Sequence, residues 1–253
     1  MSELKGLIFD IDGTMADNEQ DGHRIAFNRA FAEAGLDWHW DETLYQELLV
    51  VFGGKERIRF FIDDYLGGYA TPAGLDAFIR DLHACKSRHY AQLLQSGAIP
   101  LRPGIERLLR EARDAGIKLA LASTTSPENA RALLRESIGA HSIDWFDVIA
   151  CGDIVVHKKP APDIYLYVLE QLGLPAGECM AIEDSGSGLA SAAGAGLKTV
   201  VTVNSSTWGH DFGGATLVVD QLGEPGSPVK VLLGDAFGAE LVDLGLLRRL
   251  HSH

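Results

Sequence analysis

A chain of 253 residues fits one large domain, or a core domain carrying a smaller one. Hydrophobic residues make up 46% and charged residues 23%, which excludes a disordered chain, and 28 glycines without a three-residue period exclude a collagen-like one. The formal charge of −13 opposes nucleic acid and anionic membranes as partners. The first predicted element is a buried strand at Gly6–Phe9, a compact apolar run ending in Asp10-Ile11-Asp12-Gly13-Thr14. Residues 17–99 then read as helical throughout, with Trp38, Trp40, Phe60, Phe61 and Tyr65 as anchors for a core of their own. Pro100 and Pro103-Gly104 mark the return to another pattern. From there helices over 104–115, 127–137, 162–172 and 188–195 alternate with apolar strands at 118–122, 148–150, 179–182 and 199–203. Pro127 and Pro162 suit first helical turns, and Gly116, Gly173 and Gly196 suit helix ends. The alternation predicts an α/β fold, a doubly wound Rossmann-like parallel sheet. The expected division is a core of 1–16 and 100–253 with a helical cap domain, 17–99, inserted after the first strand. A turn-rich loop at 223–228 and a weakly amphipathic tail through Leu246–Leu250 match no part of this pattern.

Cys85, Cys151 and Cys179 are scattered and odd in number, so they read as reduced thiols and not as a disulfide frame or zinc site. The N-terminal apolar stretch is too short for a signal sequence, and no apolar run reaches membrane-spanning length. The expectation is a cytoplasmic protein, monomeric or weakly self-associating.

Chemistry gathers at the predicted strand ends, where open α/β sheets bind ligands. Asp10 and Asp12, two apart in extended chain, point to the same side; crowded carboxylates suit a nucleophile or metal ligand beside an acid–base group. Taken alone, DxDGT is equally a turn with an Asx cap. Ser123, Thr124 and Thr125 end the second strand and lead into a helix N-terminus, where hydroxyls and free N–H groups cradle phosphate or simply cap the helix. Lys159, fixed before Pro160, offers a point charge for an anion, although a solvated loop lysine is the commoner role. Glu183 and Asp184 place two acids at a fourth strand end, which suits a hard divalent cation such as Mg²⁺ or, again, an N-cap. Four such features in chain order are hard to explain as independent caps.

The ordered set DIDGT, STT, KKPAPDIY and AIEDSGSG closely resembles the haloacid dehalogenase superfamily of phosphotransferases, over nearly the whole chain. The resemblance implies Asp10 as nucleophile, Asp12 as general acid and then base, and Thr14 as support for their loop. It implies Ser123 as a phosphoryl-binding hydroxyl and Lys159 as the neutralising cation. Mg²⁺ would be held by Asp10, the backbone carbonyl of Asp12 and Asp184, with Glu183 bound directly or through water. The implied reaction is in-line transfer through an aspartyl-phosphate. Asp12 argues for phosphoryl transfer over dehalogenation, because a departing halide needs no proton donor.

Substrate choice falls to the inserted helices. Gly54 lets backbone approach a ligand, Lys55 and Arg57 follow it, His83 and Lys86 share a helical face, and Glu19 suits sugar hydroxyls. Each is also compatible with a solvated helix face. The segments FNRAFAEAGLDWHWD, GGKERIRFF and VVHKKPAPDIY resemble the CbbY-like subgroup, near β-phosphoglucomutase and phosphoglycolate phosphatase. That resemblance implies a small phosphorylated substrate, foremost xylulose 1,5-bisphosphate, whose distal phosphate would meet Lys55, Arg57 and Lys86. A mutase, a phosphatase for phosphoglycolate or a hexose phosphate, and a non-catalytic binding protein on the same scaffold are the alternatives. Lys158 is an extra cation without an assigned role.

Overall fold

The computed structural model describes residues 3–67 and 74–253; residues 68–73 of the expected helical stretch lie outside them. Seven strands form one sheet in the order β3-β2-β1-β4-β5-β6-β7. They are β1 (Gly6–Phe9), β2 (Lys118–Ser123), β3 (Val148–Cys151), β4 (Cys179–Glu183), β5 (Lys198–Thr202), β6 (Leu217–Val219) and β7 (Val231–Gly234). The first six pair in parallel, and β7 closes one edge antiparallel to β6. The expected parallel sheet is therefore mixed at that edge. Neither β6 nor β7 follows from apolar runs: β6 has three residues, and every residue of β7 is exposed.

Side chains alternate across the sheet. Leu7 and Phe9 of β1 join the core beneath α5 (Ile105–Asp114), α6 (Pro127–Ser137) and α9 (Leu244–Ser252). Ile8 between them packs under α7 (Asp163–Leu172), on the opposite face, where α8 (Gly186–Gly194) also contributes. The tail is thus part of the main core, through Leu244, Leu246, Leu247 and Leu250. Ser126 caps α6 by accepting from the Asn129 N–H, with Pro127 in the first turn, and Ser185 caps α8 in the same way from Gly188.

Because β1 is central and in register with Lys118 on one side and Cys179 on the other, the strands end together at Phe9, Ser123, Cys151 and Glu183. Above those ends lie a π-helical turn (Glu19–Arg24), α1 (Ile25–Glu33), α2 (Glu42–Leu48), α3 (Gly54–Asp64) and α4 (Leu75–Gln95). These helices hold their own buried cluster, rich in aromatic rings: Phe27, Phe31, Trp38, Trp40, Tyr45 and Phe61. The chain leaves and re-enters the sheet layer side by side. Ala16 bridges Leu101, and the Arg102 N–H donates to the Met15 carbonyl at 2.8 Å. The Arg102 guanidinium donates to the carbonyls of Gly13, Thr202, Val203 and Asp220, clamping both crossings to the sheet. No helix among the described residues is long and apolar enough to cross a membrane.

Candidate active site

Asp10 follows β1 directly, and its N–H still bonds the Ile182 carbonyl at 3.0 Å, so its carboxyl is fixed by the sheet. The chain then turns sharply at Gly13, where φ is +88° and any Cβ would collide with the Asp184 carboxylate. Only glycine lets these two strand-end loops approach so closely. Lys159 Nζ donates to Asp10 Oδ1 at 2.7 Å and to Glu183 Oε1 at 2.5 Å, and the Tyr165 hydroxyl donates to the same Glu183 oxygen. Asp184 accepts from Asn204 Nδ2 at 2.7 Å and from Thr14 Oγ1 at 3.4 Å.

All of these charges are buried. Burial raises the Asp10 carboxyl to about 7, aided by Glu183 and opposed by Lys159. Burial, with Asp10 and Glu183 beside it, also pushes Asp184 well above the usual carboxylate range. Burial would lower Lys159, but the two carboxylates outweigh it and hold the ammonium protonated. Three buried carboxyls share one cation, and Asp10, Glu183 and Asp184 offer oxygen atoms within 4.8 Å of one another. This all-oxygen set has more carboxylates than Lys159 can neutralise, and a hard divalent ion such as Mg²⁺ fits it.

Asp12 is held differently. It accepts from Asn18 Nδ2 at 2.7 Å and from His23 Nε2 at 2.9 Å, while Lys86 Nζ lies 2.7 Å from His23 Nδ1. Burial alone would raise its carboxyl, yet His23, Asn18 and Lys86 outweigh burial and keep it ionised, well below the usual range. Burial in turn lowers Lys86 to about 8.

Asp12, Glu19, Gly54, Arg57, His83 and Lys86 line one cleft between helices and sheet, closed on its far side by Thr124 and Thr125. Ser123, at the end of β2, is buried behind them, its Oγ accepting from the Thr125 N–H. Arg57 Nη1 donates to the Tyr45 hydroxyl at 2.8 Å, which donates to Glu19 at 2.6 Å. A Cβ at Gly54 would lie 2.6 Å from the His83 ring, so helix α3 can pack on α4 here only through glycine. Burial, with Lys86 and Lys55 nearby, depresses His83 to about 3 and keeps it neutral.

Lys55 does not line the cleft. It pairs with Asp153 outside it, where Lys158 also bonds Asp153 at 3.1 Å and Glu56 at 2.6 Å. Lys158 thus ties α3 to the loop after β3. Sequence reasoning missed His23, Tyr45, Asn204 and Tyr165. Asn204 follows the predicted strand ending at 203, so the strand-end rule extended one strand further would have found it. His23 and Tyr45 lie within helical patterns and carried no spacing signal, and Tyr165 closes the KKPAPDIY segment without being singled out.

The model of the haloacid dehalogenase-like hydrolase family matches residues 4–196. The chain is 48% identical to the plasmid-borne protein CbbY of Cupriavidus necator over 255 residues, covering 98% of this chain and 97% of that one. It is 30% identical to a phosphorylated carbohydrates phosphatase of Thermotoga maritima, over 79% of this chain and 85% of the relative. A crystal structure of a D10N mutant of CbbY from Rhodobacter sphaeroides, in complex with xylulose 1,5-bisphosphate, superposes with a TM-score of 0.80 at 44% identity; the match covers 86% of this chain and 94% of that one. A strand-end cluster of this kind, under a model that spans most of the sheet, leaves one assignment: the chain belongs to the haloacid dehalogenase-like hydrolase family, as one of its phosphatases.

Proposed function

We propose that the protein is a Mg²⁺-dependent phosphatase that hydrolyses a sugar bisphosphate such as xylulose 1,5-bisphosphate through a phospho-aspartate on Asp10. The observation that carries this reading is the cleft itself. Arg57 and Lys86 face it from the helices, opposite the strand ends that bear Asp10, Asp12 and Lys159. One cationic pole suits the transferring phosphate and another the distal one. The CbbY of Rhodobacter sphaeroides, in complex with xylulose 1,5-bisphosphate, supports the choice of ester.

In this reading Asp12 takes up a proton from solvent while the open cap has withdrawn His23, Asn18 and Lys86 from it; Asp10 then attacks phosphorus, the ester P–O bond breaks, and Asp12 delivers that proton to the leaving oxygen. Water then attacks the phospho-aspartate, Asp12 takes its proton, and Asp10 is released. Lys159 favours the ionised form of Asp10 against burial and orients it, and Ser123 holds phosphoryl oxygens. Mg²⁺, when held by Asp10, Asp184 and the Asp12 carbonyl with Glu183 beside them, supplies charge neutralisation for the transferring group. His23, which bonds Asp12, and Lys86, which bonds His23, belong to the helices, so this chain of contacts exists only while these are closed over the sheet. Residues 17–99 therefore act as a cap domain on a core of 1–16 and 100–253. The closed cleft has a volume of about 40 Å³, room for roughly three waters, so the cap opens to admit a sugar phosphate. Three free cysteines suit a reducing cytoplasm.

Sugar monophosphates, sugar bisphosphates, phosphoglycolate and an aryl phosphate, ranked by kcat/KM with Mg²⁺, test the proposal. A bisphosphate should lead, and chelation should abolish turnover of every ester. A leading monophosphate, or turnover that survives chelation, would overturn it.

A further inference from the structure

A second group of ligating side chains lies between α1 and α4. Cys85 and His89 are four apart on α4 and so share a face, and Glu33 reaches them from the last turn of α1. Their thiol, imidazole and carboxylate atoms lie within 4.8 Å of one another. His89 Nε2 is 2.8 Å from Glu33 Oε2, and the Cys85 thiol lies within 4.8 Å of both groups. Arg88 donates to the other oxygen, Oε1, at 2.7 Å. That contact leaves Oε2 on the ring and gives the carboxylate the kind of outer partner that ligating carboxylates usually have. None of the three residues lines the catalytic cleft.

We propose that Glu33, Cys85 and His89 form a second cation site, for a borderline divalent ion of the Zn²⁺ class. Tetrahedral zinc with bonds of about 2.0–2.3 Å needs ligand atoms roughly 3.3–3.8 Å apart. Small rotamer adjustments reach that spacing from the present one, and water fills the fourth position on the exposed Glu33 side. One sulfur, one nitrogen and one oxygen donor select against Mg²⁺, which wants oxygen alone, whereas the cluster at Asp10 and Asp184 is all oxygen. The two sites thus sort ions by hardness. Binding replaces the thiol proton with the metal and releases that proton to solvent. An ion there pins α1 to α4 and stabilises the folded helices by mass action.

Co²⁺ is the probe, because a thiolate bound to it gives a near-ultraviolet charge-transfer band that the thiol-free catalytic cluster cannot produce. The metal-free, reduced full-length chain is titrated with Co²⁺ in excess Mg²⁺. The expected result is a thiolate-to-cobalt band saturating at one equivalent and abolished by added Zn²⁺. Cys85→Ser should remove it and His89→Gln should weaken Co²⁺ binding at least roughly tenfold, with Mg²⁺-dependent phosphatase activity unchanged in both. Should Cys85→Ser fail to fold, His89→Gln and Glu33→Gln carry the test. Absence of the band in the wild type overturns the proposal. So does a band that survives Cys85→Ser, which would assign it to Cys151 or Cys179, or Co²⁺ affinity unaffected by His89→Gln.

Discussion

Replacing Asn204 by alanine should weaken Mg²⁺ binding without disturbing the fold. The amide is oriented by its own loop: Oδ1 accepts from the N–H groups of Ser206 at 2.9 Å and Thr207 at 3.1 Å. Nδ2 is therefore the end that faces the site, donating to Asp184 Oδ2 at 2.7 Å and to the Gly13 carbonyl at 3.2 Å. It holds a carboxylate and the turn after Asp12 in one position, and both belong to the proposed metal site. A buried hydrogen bond to a charged acceptor is worth about 1.5–3 kcal/mol, and each 1.4 kcal/mol is about tenfold in an equilibrium constant. The expected loss of affinity is thus roughly 10- to 100-fold, the range seen when a metal ligand loses its supporting partner. Mn²⁺ binding followed by electron paramagnetic resonance gives the affinity directly, and Mg²⁺ activation curves give it under turnover. At saturating Mg²⁺ most of kcat should return, because Asn204 touches no reacting atom. Unchanged Mn²⁺ affinity in a variant with wild-type circular dichroism and Tm would refute the reasoning. It would mean that Thr14 and the sheet suffice to hold Asp184.

Asp10→Asn should cut turnover by several orders of magnitude while the chain stays folded, since a carboxamide forms no acyl phosphate; single-turnover phosphate release is the check. Arg57→Met should lower kcat/KM for a sugar bisphosphate by about 10- to 1000-fold yet leave an aryl phosphate nearly unaffected. Lys55→Met, outside the cleft, should lose less, and equal losses on both substrates would count against a distal-phosphate pole. His83 is depressed to about 3 from an ordinary 6.5, so the unfolded chain binds the extra proton between those values and stability falls as pH drops. Relative to His83→Gln, the wild type should lose up to about 2 kcal/mol between pH 6.5 and 5, measured by urea unfolding at each pH; parallel pH curves would contradict it.

The gathering of the strand-end residues was legible because parallel strands end together. Once Gly6–Phe9, 118–122 and 179–182 read as strands, Asp10, Ser123, Glu183 and Asp184 had to share an edge. Lys159 was legible only through the motif around it, since no periodicity brings a loop lysine to Asp10. The cap was harder. His83 and Lys86, three apart on α4, do share the cleft. Lys55 and Arg57 are two apart on α3, and residues so spaced lie on opposite sides of a helix. Their separation was therefore present in the spacing, with Arg57 turned inward to Tyr45 and Lys55 outward to Asp153. The last strands escaped notice for another reason. β7 runs along an edge with its side chains exposed, and β6 is too short to show a pattern, so neither meets the burial that makes a strand readable.

The paired crossing at Ala16 and Leu101 has a mechanical consequence. A body tethered at one point can swing but cannot slide, and Arg102 rivets that point to four carbonyls of the sheet. The pivot therefore contributes little to the resistance of the gate. In the proposed opening, that resistance sits where the helices grip the loops of the sheet: Lys158 on Glu56, Lys55 on Asp153, Gln46 on the Ser206 carbonyl and His23 on Asp12. Each turnover of the proposed cycle breaks these contacts twice, once for the ester and once for inorganic phosphate. In the proposed cycle, part of the enzyme's tempo is then set by contacts outside the cleft, which selection can retune without touching the machinery that breaks the bond.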